Sequence, residues 1–168
     1  VSQDNDFIKL ISDLNQTHHH YCVISNQDLA DALKDAVYFR DMPGMADVDS
    51  SLYWFCKKIK EDYTVSLSGE CADEIFGGYP WFYRDPMNGM FPWLRDLAIR
   101  NTLLKPEWQE KLDLVGYATK RFNESIASAP ILEGDSALNN EKRQLTYLNT
   151  KWFMTTLLDR KDRMSMGA

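Results

Sequence analysis

Three carboxylates lie close together in the segment 65–79, which reads VSLSGECADEIFGGY and is called here the motif segment. Glu70, Asp73 and Glu74 share one face if this segment is helical, because side chains three and four positions apart are neighbours on a helix. Such carboxylates can hold Mg²⁺ against a phosphate, or one of them can act as a general base on a bound amine. Acidic residues in a first helical turn also favour the helix dipole, so the pattern alone leaves all three interpretations open.

The order of elements in the motif segment predicts a ligand site. It predicts a strand, a tight turn at Ser68-Gly69, a short helix over 70–76 and a glycine stop. In open α/β sheets, ligands bind just beyond the carboxyl ends of strands. Glycine lets the backbone approach a ligand closely, and the free N–H groups at a helix start favour an anion.

The first half of the chain supplies helices and two β-type runs that would position this segment. Apolar residues at helical spacing predict helices over 5–16 and 49–62, and a capping-box pattern that begins at Ser25 predicts another between them. Runs of β-favouring residues predict strands over 18–25 and 63–67.

The second half, after Tyr79, has helical periodicity only, interrupted by prolines and glycines. The spacing of apolar residues predicts a short helix near Leu97 and one long helix that carries Trp108 to Ile126. A final helix holds Leu145 and continues into a charged run near the end of the chain.

Residues 67–79 resemble the S-G-E-G-A-D-E-x-F-G-G-Y signature of glutamine-hydrolysing asparagine synthetases, with Cys71 in place of the commoner glycine. Three other segments also resemble parts of that family: His19-His20 before a predicted strand, RDMP at 40–43 and DRMSM at 162–166. The resemblance covers essentially the whole chain but only part of the family's protein.

The resemblance implies an activity and roles for particular residues. The family couples a glutaminase domain to a synthetase domain of the ATP-pyrophosphatase type; ATP activates the aspartate side chain as β-aspartyl-AMP, and ammonia then displaces AMP. By position, Ser68 and Gly69 would bind the nucleotide, and Glu70 would be the catalytic general base in ammonia addition. Asp73 would help hold magnesium pyrophosphate. The implied cofactors are ATP and Mg²⁺, and the implied partners are aspartate, ATP and ammonia from a glutaminase domain.

The resemblance also implies a fold: an α/β fragment, predominantly helical, from a parallel-sheet adenine-nucleotide α-hydrolase-like domain whose central strands are missing. Residues 1–84 would be the truncated α/β part, and 85–168 the helical part. The family's phosphate loop, S-G-G-x-D-S-S, does not occur in the chain, and DVDSS at 47–51 lacks both glycines and predicts a helix cap. We therefore expect an inactive fragment with a weakly formed sheet and exposed apolar surface that invites self-association.

Composition excludes several other classes. The 168 residues include 19 basic and 25 acidic side chains, a net charge of −6 with no Lys/Arg-rich block, which argues against nucleic acid as a partner. No apolar run approaches the roughly 18 residues that span a membrane. Three widely spaced cysteines without a C-x-x-C pair predict buried thiols in a reducing, cytoplasmic compartment rather than disulfides or zinc ligands.

Several alternatives stay open. The longer protein from which the chain is expected to come could be a related adenylating synthetase that acts on another carboxylate, as β-lactam synthetase does. Alternatively, the chain could be a non-catalytic helical interaction module. The run 18–20 of three histidines predicts an exposed strand entry rather than a metal site. The aromatic residues of 79–83 would stack a base or anchor a loop. Arg160 and Arg163 would either supply cations to the nucleotide or form a solvated helix end.

Overall fold

The structure is a computed structural model that describes residues 4–83, 87, 89–94 and 96–168, and only the backbone of Ala46. Helices dominate these residues, so the predominantly helical prediction is confirmed. The α-helices are α1 (Asn5–Asn15), α2 (Asn26–Arg40), α3 (Ala46–Asp62), α4 (Ala72–Phe76), α5 (Leu97–Thr102), α6 (Pro106–Leu112), α7 (Leu114–Ser128), α8 (Ala137–Leu148) and α9 (Met154–Gly167). A 3₁₀ turn spans Pro80–Phe82, and a π-helical segment, Asn149–Phe153, joins α8 to α9.

The two predicted strands, 18–25 and 63–67, are not formed, since no strand occurs among the described residues. Their apolar side chains face solvent: Val23, Val65 and Leu67 are 85%, 78% and 98% exposed. A strand needs a hydrogen-bonded neighbour and a buried face to be stable, and neither run has one within the described chain. The strand predictions are therefore wrong for this structure, and the adenine-nucleotide α-hydrolase-like fold stays a prediction.

Contacts divide the chain into two compact units, each described here by itself: Val1–Thr64 with Arg163–Ala168, and Val65–Asp162. In the first unit, α2 packs against α3 around a core of Ala32, Ala36, Tyr53 and Met164. The predicted capping box begins α2, because Ser25 and Asp28 exchange side-chain and backbone hydrogen bonds. The predicted division of the domain into 1–84 and 85–168 stays a prediction.

Helix α3 begins three residues before its predicted start. Consequently 47–51 lies in the first turns of α3, where acidic side chains favour the dipole, and it does not form the predicted cap. Helix α1 matches its predicted range but buries none of its residues.

The second unit has an aromatic core. Phe91, Phe122 and Leu148 are buried there, and Trp93 and Trp152 pack against them. The long helix predicted through Trp108 and Ile126 is interrupted, since Asp113 has a left-handed backbone (φ 38°) and its carboxylate caps the backbone N–H of Gly116. None of the helices in the described part of the chain is long and apolar enough to cross a membrane.

Candidate active site

The motif segment begins the second unit, and its turn differs from the predicted one. Helix α4 starts at Ala72, so Glu70 precedes it, and Cys71 between them adopts a left-handed backbone with φ 72°. Gly77 ends the helix with φ 71°, as the predicted glycine stop requires. Because Glu70 lies outside the helix, the prediction that the three carboxylates share one helical face is wrong.

Glu70 is paired with two cations of α9. Its Oε1 lies 3.6 Å from Nη2 of Arg160, and its Oε2 lies 3.5 Å from Nζ of Lys161. These are ion pairs rather than close hydrogen bonds. All three side chains are partly buried, with 18–29% of their surface exposed, so the pairs are screened less than surface pairs are.

Ser68 and Gly69 lie directly before this carboxylate and are exposed. The Ser68 hydroxyl accepts a hydrogen bond from the Glu70 backbone N–H at 3.3 Å, which holds the two residues together. A Cβ built on Gly69 would meet no atom within 4 Å. Contacts within the described chain therefore do not require glycine here, and its backbone is open to a ligand.

Asp73 occupies the space beside Gly78. A Cβ on Gly78 would lie 1.9 Å from Oδ1 of Asp73 and 2.9 Å from its Cγ, so any side chain at position 78 would displace this carboxylate. Asp73 is exposed, and among the described residues its carboxylate accepts no hydrogen bond and forms no ion pair. Its oxygens are therefore available to a ligand.

Glu74 is used structurally. It is 1% exposed, and its Oε1 accepts a hydrogen bond from the phenol of Tyr79 at 2.5 Å. Burial, then the hydrogen bond to Glu74 and the charges of the nearby carboxylates, raise the pKa of Tyr79 above its ordinary value. The three carboxylates thus have three different surroundings: cations at Glu70, a phenol at Glu74 and solvent at Asp73.

Aromatic packing attaches the motif segment to the π-helical segment. The ring of Tyr79 stacks on Trp81 with centroids 4.4 Å apart and meets Phe153 edge-on at 5.3 Å. The Trp81 indole N–H donates to Oδ1 of Asn149, which is fully buried. These contacts favour the loop-anchoring interpretation of the aromatic run, although Tyr83 remains exposed.

Cys71 departs from the family signature in both residue type and surroundings. Its left-handed backbone is one that glycine adopts without strain and other residues rarely adopt. The side chain is buried, and burial, followed by the charges of Glu74 and Glu70, raises the pKa of the thiol. The predicted burial of all three thiols is wrong, because Cys22 is exposed and Cys56 is half-buried.

Ser68, Gly69 and Glu70 thus lie in the turn before α4, and Asp73 lies in the first turn of that helix. The structure adds Lys161, which the sequence pattern did not single out, because a helix face cannot be assigned before its packing is known. Arg160 joins this site, whereas Arg163 pairs with Asp41 in the first unit at 2.6 Å. The three histidines of 18–20 are exposed. No group of three or more potential metal ligands occurs in the described residues.

A family model described as asparagine synthase matches residues 2–168, which include both the motif segment and α9. The chain belongs to the asparagine synthase family. Over 167 residues it is 54% identical to asparagine synthetase [glutamine-hydrolyzing] 3 of Bacillus subtilis, a match that covers 99% of this chain and 27% of that protein.

More distant members of the asparagine synthase family match a smaller part of the chain. Asparagine synthetase [glutamine-hydrolyzing] 1 of Arabidopsis thaliana is 36% identical over 81 residues, 46% of this chain and 14% of that protein. Asparagine synthetase [glutamine-hydrolyzing] 1 of B. subtilis is 41% identical over 66 residues, 39% of this chain and 10% of that protein. The chain therefore spans about a quarter of the length of the first of these relatives, since it covers 27% of that protein.

Proposed function

We propose that the longer protein to which this chain corresponds is a glutamine-hydrolysing asparagine synthetase, and that the chain forms part of its synthetase domain. In this reaction ATP adenylates the side-chain carboxylate of aspartate with loss of pyrophosphate, and ammonia then replaces AMP. One structural observation carries the proposal: the Glu70 carboxylate follows the open Gly69 backbone and lies against the cations Arg160 and Lys161. The 54% identity to the B. subtilis enzyme supports the same activity.

The nucleotide binds at Ser68 and Gly69. Both residues are exposed, and the absence of any atom within 4 Å of a Cβ on Gly69 leaves room for a ligand to lie against the backbone. The adjacent hydroxyl of Ser68 can donate to a ligand oxygen while it accepts from the Glu70 N–H.

Asp73 fits a magnesium ion that accompanies the phosphates. Mg²⁺ prefers oxygen ligands and is usually bound by one or two carboxylates together with phosphate oxygens and water. The exposed Asp73 carboxylate, free of partners among the described residues, supplies one such ligand. When bound, the ion neutralises phosphate charge and so favours departure of pyrophosphate.

Glu70 moves the proton in the second step. The nitrogen of ammonia forms a bond to the carbonyl carbon of the aspartyl adenylate, and the bond from that carbon to the phosphate oxygen breaks as AMP leaves. The nitrogen must lose a proton, and a Glu70 oxygen accepts it. Positioned general bases of this kind contribute about 10²–10⁴-fold to a rate.

Aspartate-dependent exchange between ATP and pyrophosphate in the longer protein tests this function. We expect exchange that requires aspartate, and we expect Asp73→Asn to slow it by at least about tenfold because a metal ligand is lost. Glu133→Gln is a matched control, since Glu133 is an exposed loop carboxylate that lies outside the site.

Other outcomes of the same experiment contradict the proposal. Exchange that depends on another carboxylic acid would indicate a related adenylating synthetase, such as one that closes a β-lactam. A longer protein without any exchange would indicate a non-catalytic helical module. Isolated, the chain is expected to be inactive, because the family's phosphate loop does not occur in its sequence.

A further inference from the structure

The two cations that face Glu70, Arg160 and Lys161, form no close hydrogen bond with its carboxylate. Their nitrogens lie 3.5 Å and 3.6 Å from the carboxylate oxygens, beyond the roughly 2.7–2.9 Å of a charge-assisted hydrogen bond. The two cations lie nearest to different oxygens of the Glu70 carboxylate. Arg160 lies nearest to Oε1, and Lys161 lies nearest to Oε2. The group therefore contains two positive charges and one negative charge.

Arg160 also has a hydrogen-bond donor without an acceptor. Its Nε is buried and has no hydrogen-bond acceptor among the described residues. A guanidinium carries five N–H donors in a planar fork that suits carboxylate and phosphate oxygens. A buried donor without an acceptor is unfavourable, so this N–H would be stabilised by an acceptor oxygen that enters when Glu70 leaves.

We propose that Arg160 and Lys161 form a binding site for a phosphate-bearing anion, and that Glu70 occupies this site until the anion arrives. A carboxylate offers two oxygens, and both are already directed at these cations. A polyphosphate has more oxygens and more negative charge. Once Glu70 has left, its oxygens can accept hydrogen bonds from both cations and from the Arg160 Nε.

Displacement of Glu70 by the anion also affects the reaction, and this part of the proposal rests on the proposed function. Once Arg160 and Lys161 bind phosphate oxygens, the Glu70 carboxylate is released from both ion pairs. It is then free to accept the proton that ammonia loses. Binding of the phosphate groups thus prepares the base for the following step.

Calorimetric titration of the 168-residue chain with inorganic pyrophosphate, at low ionic strength and without Mg²⁺, tests the site. We expect the double variant Arg160→Gln/Lys161→Gln to bind at least about tenfold more weakly than the unmodified chain, because both charges are removed. We expect Glu70→Gln to bind about 3–10-fold more tightly, because the competing carboxylate is gone. Lys120→Gln removes one charge from an exposed position of α7 and should change the affinity less than twofold.

The sign of the Glu70→Gln effect separates this proposal from a structural role of the ion pairs. Loss of a purely structural pair would weaken pyrophosphate binding or leave it unchanged, and either result overturns the proposal. Absence of binding by the unmodified chain, or equal binding by the double variant, also overturns it. If circular dichroism shows that the double variant is unfolded, the Glu70→Gln titration decides.

Parallel titrations with ATP and orthophosphate identify the source of the phosphate oxygens. Tighter binding of ATP than of pyrophosphate, lost in the double variant, assigns the site to the nucleotide's triphosphate. Equal binding of both assigns it to the pyrophosphate part alone. None of these titrations needs aspartate or ammonia, so they can succeed where aspartate-dependent exchange fails, and the two proposals are separately tested.

Discussion

The phenol of Tyr79 donates a 2.5 Å hydrogen bond to the carboxylate of Glu74, which is 1% exposed and lies in the same short segment as Glu70 and Asp73. The Glu74 carboxylate therefore holds the motif segment together, whereas Glu70 faces two cations and Asp73 faces solvent. Because Tyr79 also stacks on Trp81 and contacts Phe153, this bond fixes the motif segment against the π-helical segment.

This bond predicts a loss of stability at alkaline pH. The pKa of Tyr79 is raised in the folded chain, so above the ordinary tyrosine value of 10.0 the unfolded chain loses this proton while the folded chain keeps it. The free energy of unfolding must then fall as pH rises, by at most ~1.4 kcal/mol per pH unit for one proton. Urea unfolding of the unmodified chain and of Tyr79→Phe, at about pH 9 and about pH 11, measures the difference.

We expect Tyr79→Phe to be less stable at neutral pH by about 1–3 kcal/mol, because it leaves a buried carboxylate without a donor, but to lose less stability between the two pH values. Tyr83→Phe is the matched control, since Tyr83 is 72% exposed. If the free energy of unfolding falls equally with pH in the unmodified chain and in Tyr79→Phe, the Tyr79 phenol does not cause the loss of stability at alkaline pH.

Backbone strain at Cys71 predicts a difference between two small substitutions. Cys71→Ala keeps a Cβ on a backbone with φ 72°, whereas Cys71→Gly removes it, and both lose the same buried sulfur. We expect the glycine variant to be more stable than the alanine variant by about 0.5–1 kcal/mol, the reverse of the usual order. Urea midpoints of the two variants provide the measurement, and an alanine variant equal to or more stable than the glycine variant would refute the strain.

Two glycines of the motif segment should differ in the stability that they lose on substitution by alanine. In Gly78→Ala the new Cβ would lie 1.9 Å from Oδ1 of Asp73, and we expect a loss of about 1–3 kcal/mol as that side chain is displaced. In Gly69→Ala the Cβ meets nothing within 4 Å, and we expect a change within about 0.5 kcal/mol. Equal urea midpoints for the two variants would contradict the geometry.

The same pair of variants separates folding from ligand binding. Because Gly69→Ala should fold normally, any loss of nucleotide binding in the longer protein would come from obstruction of the ligand. An unchanged affinity for ATP would remove Gly69 from the proposed site.

Exposed apolar surface predicts self-association of the chain. On α1, Phe7, Ile11 and Leu14 are 68%, 58% and 70% exposed and lie on one face of the helix. We expect the light-scattering mass to rise with concentration, and Ile11→Lys/Leu14→Lys to reduce this rise. Asp13→Lys, a change at an exposed polar position of the same helix, serves as control. A single monomer at all concentrations would contradict the expectation.

Much of the helical structure follows from local sequence signals. Ser25 and Asp28 cap α2 as their spacing predicts, and Gly77 ends α4, because each of these features depends on neighbouring residues. The strands over 18–25 and 63–67 could not be judged in this way, since a strand depends on partners that are distant in sequence. The single residue Asp113, with its left-handed backbone, divides a helix that apolar spacing predicts as continuous.

The candidate site shows the same limit. The motif placed Ser68, Gly69, Glu70 and Asp73 together, but it did not indicate that Glu74 would be buried or that Glu70 would precede the helix. Lys161 reaches Glu70 through the packing of α9, and Asn149 in the π-helical segment accepts a hydrogen bond from Trp81; no local pattern specifies either contact.

If Glu70 is the base in amide formation, its substitution must slow the formation of asparagine by the longer protein. We predict that Glu70→Gln lowers this rate by about 10²–10⁴-fold at saturating aspartate, ATP and ammonia, while Glu133→Gln stays within about twofold of the unmodified protein. A Glu70→Gln variant that also forms asparagine within about twofold of the unmodified rate would contradict the claim.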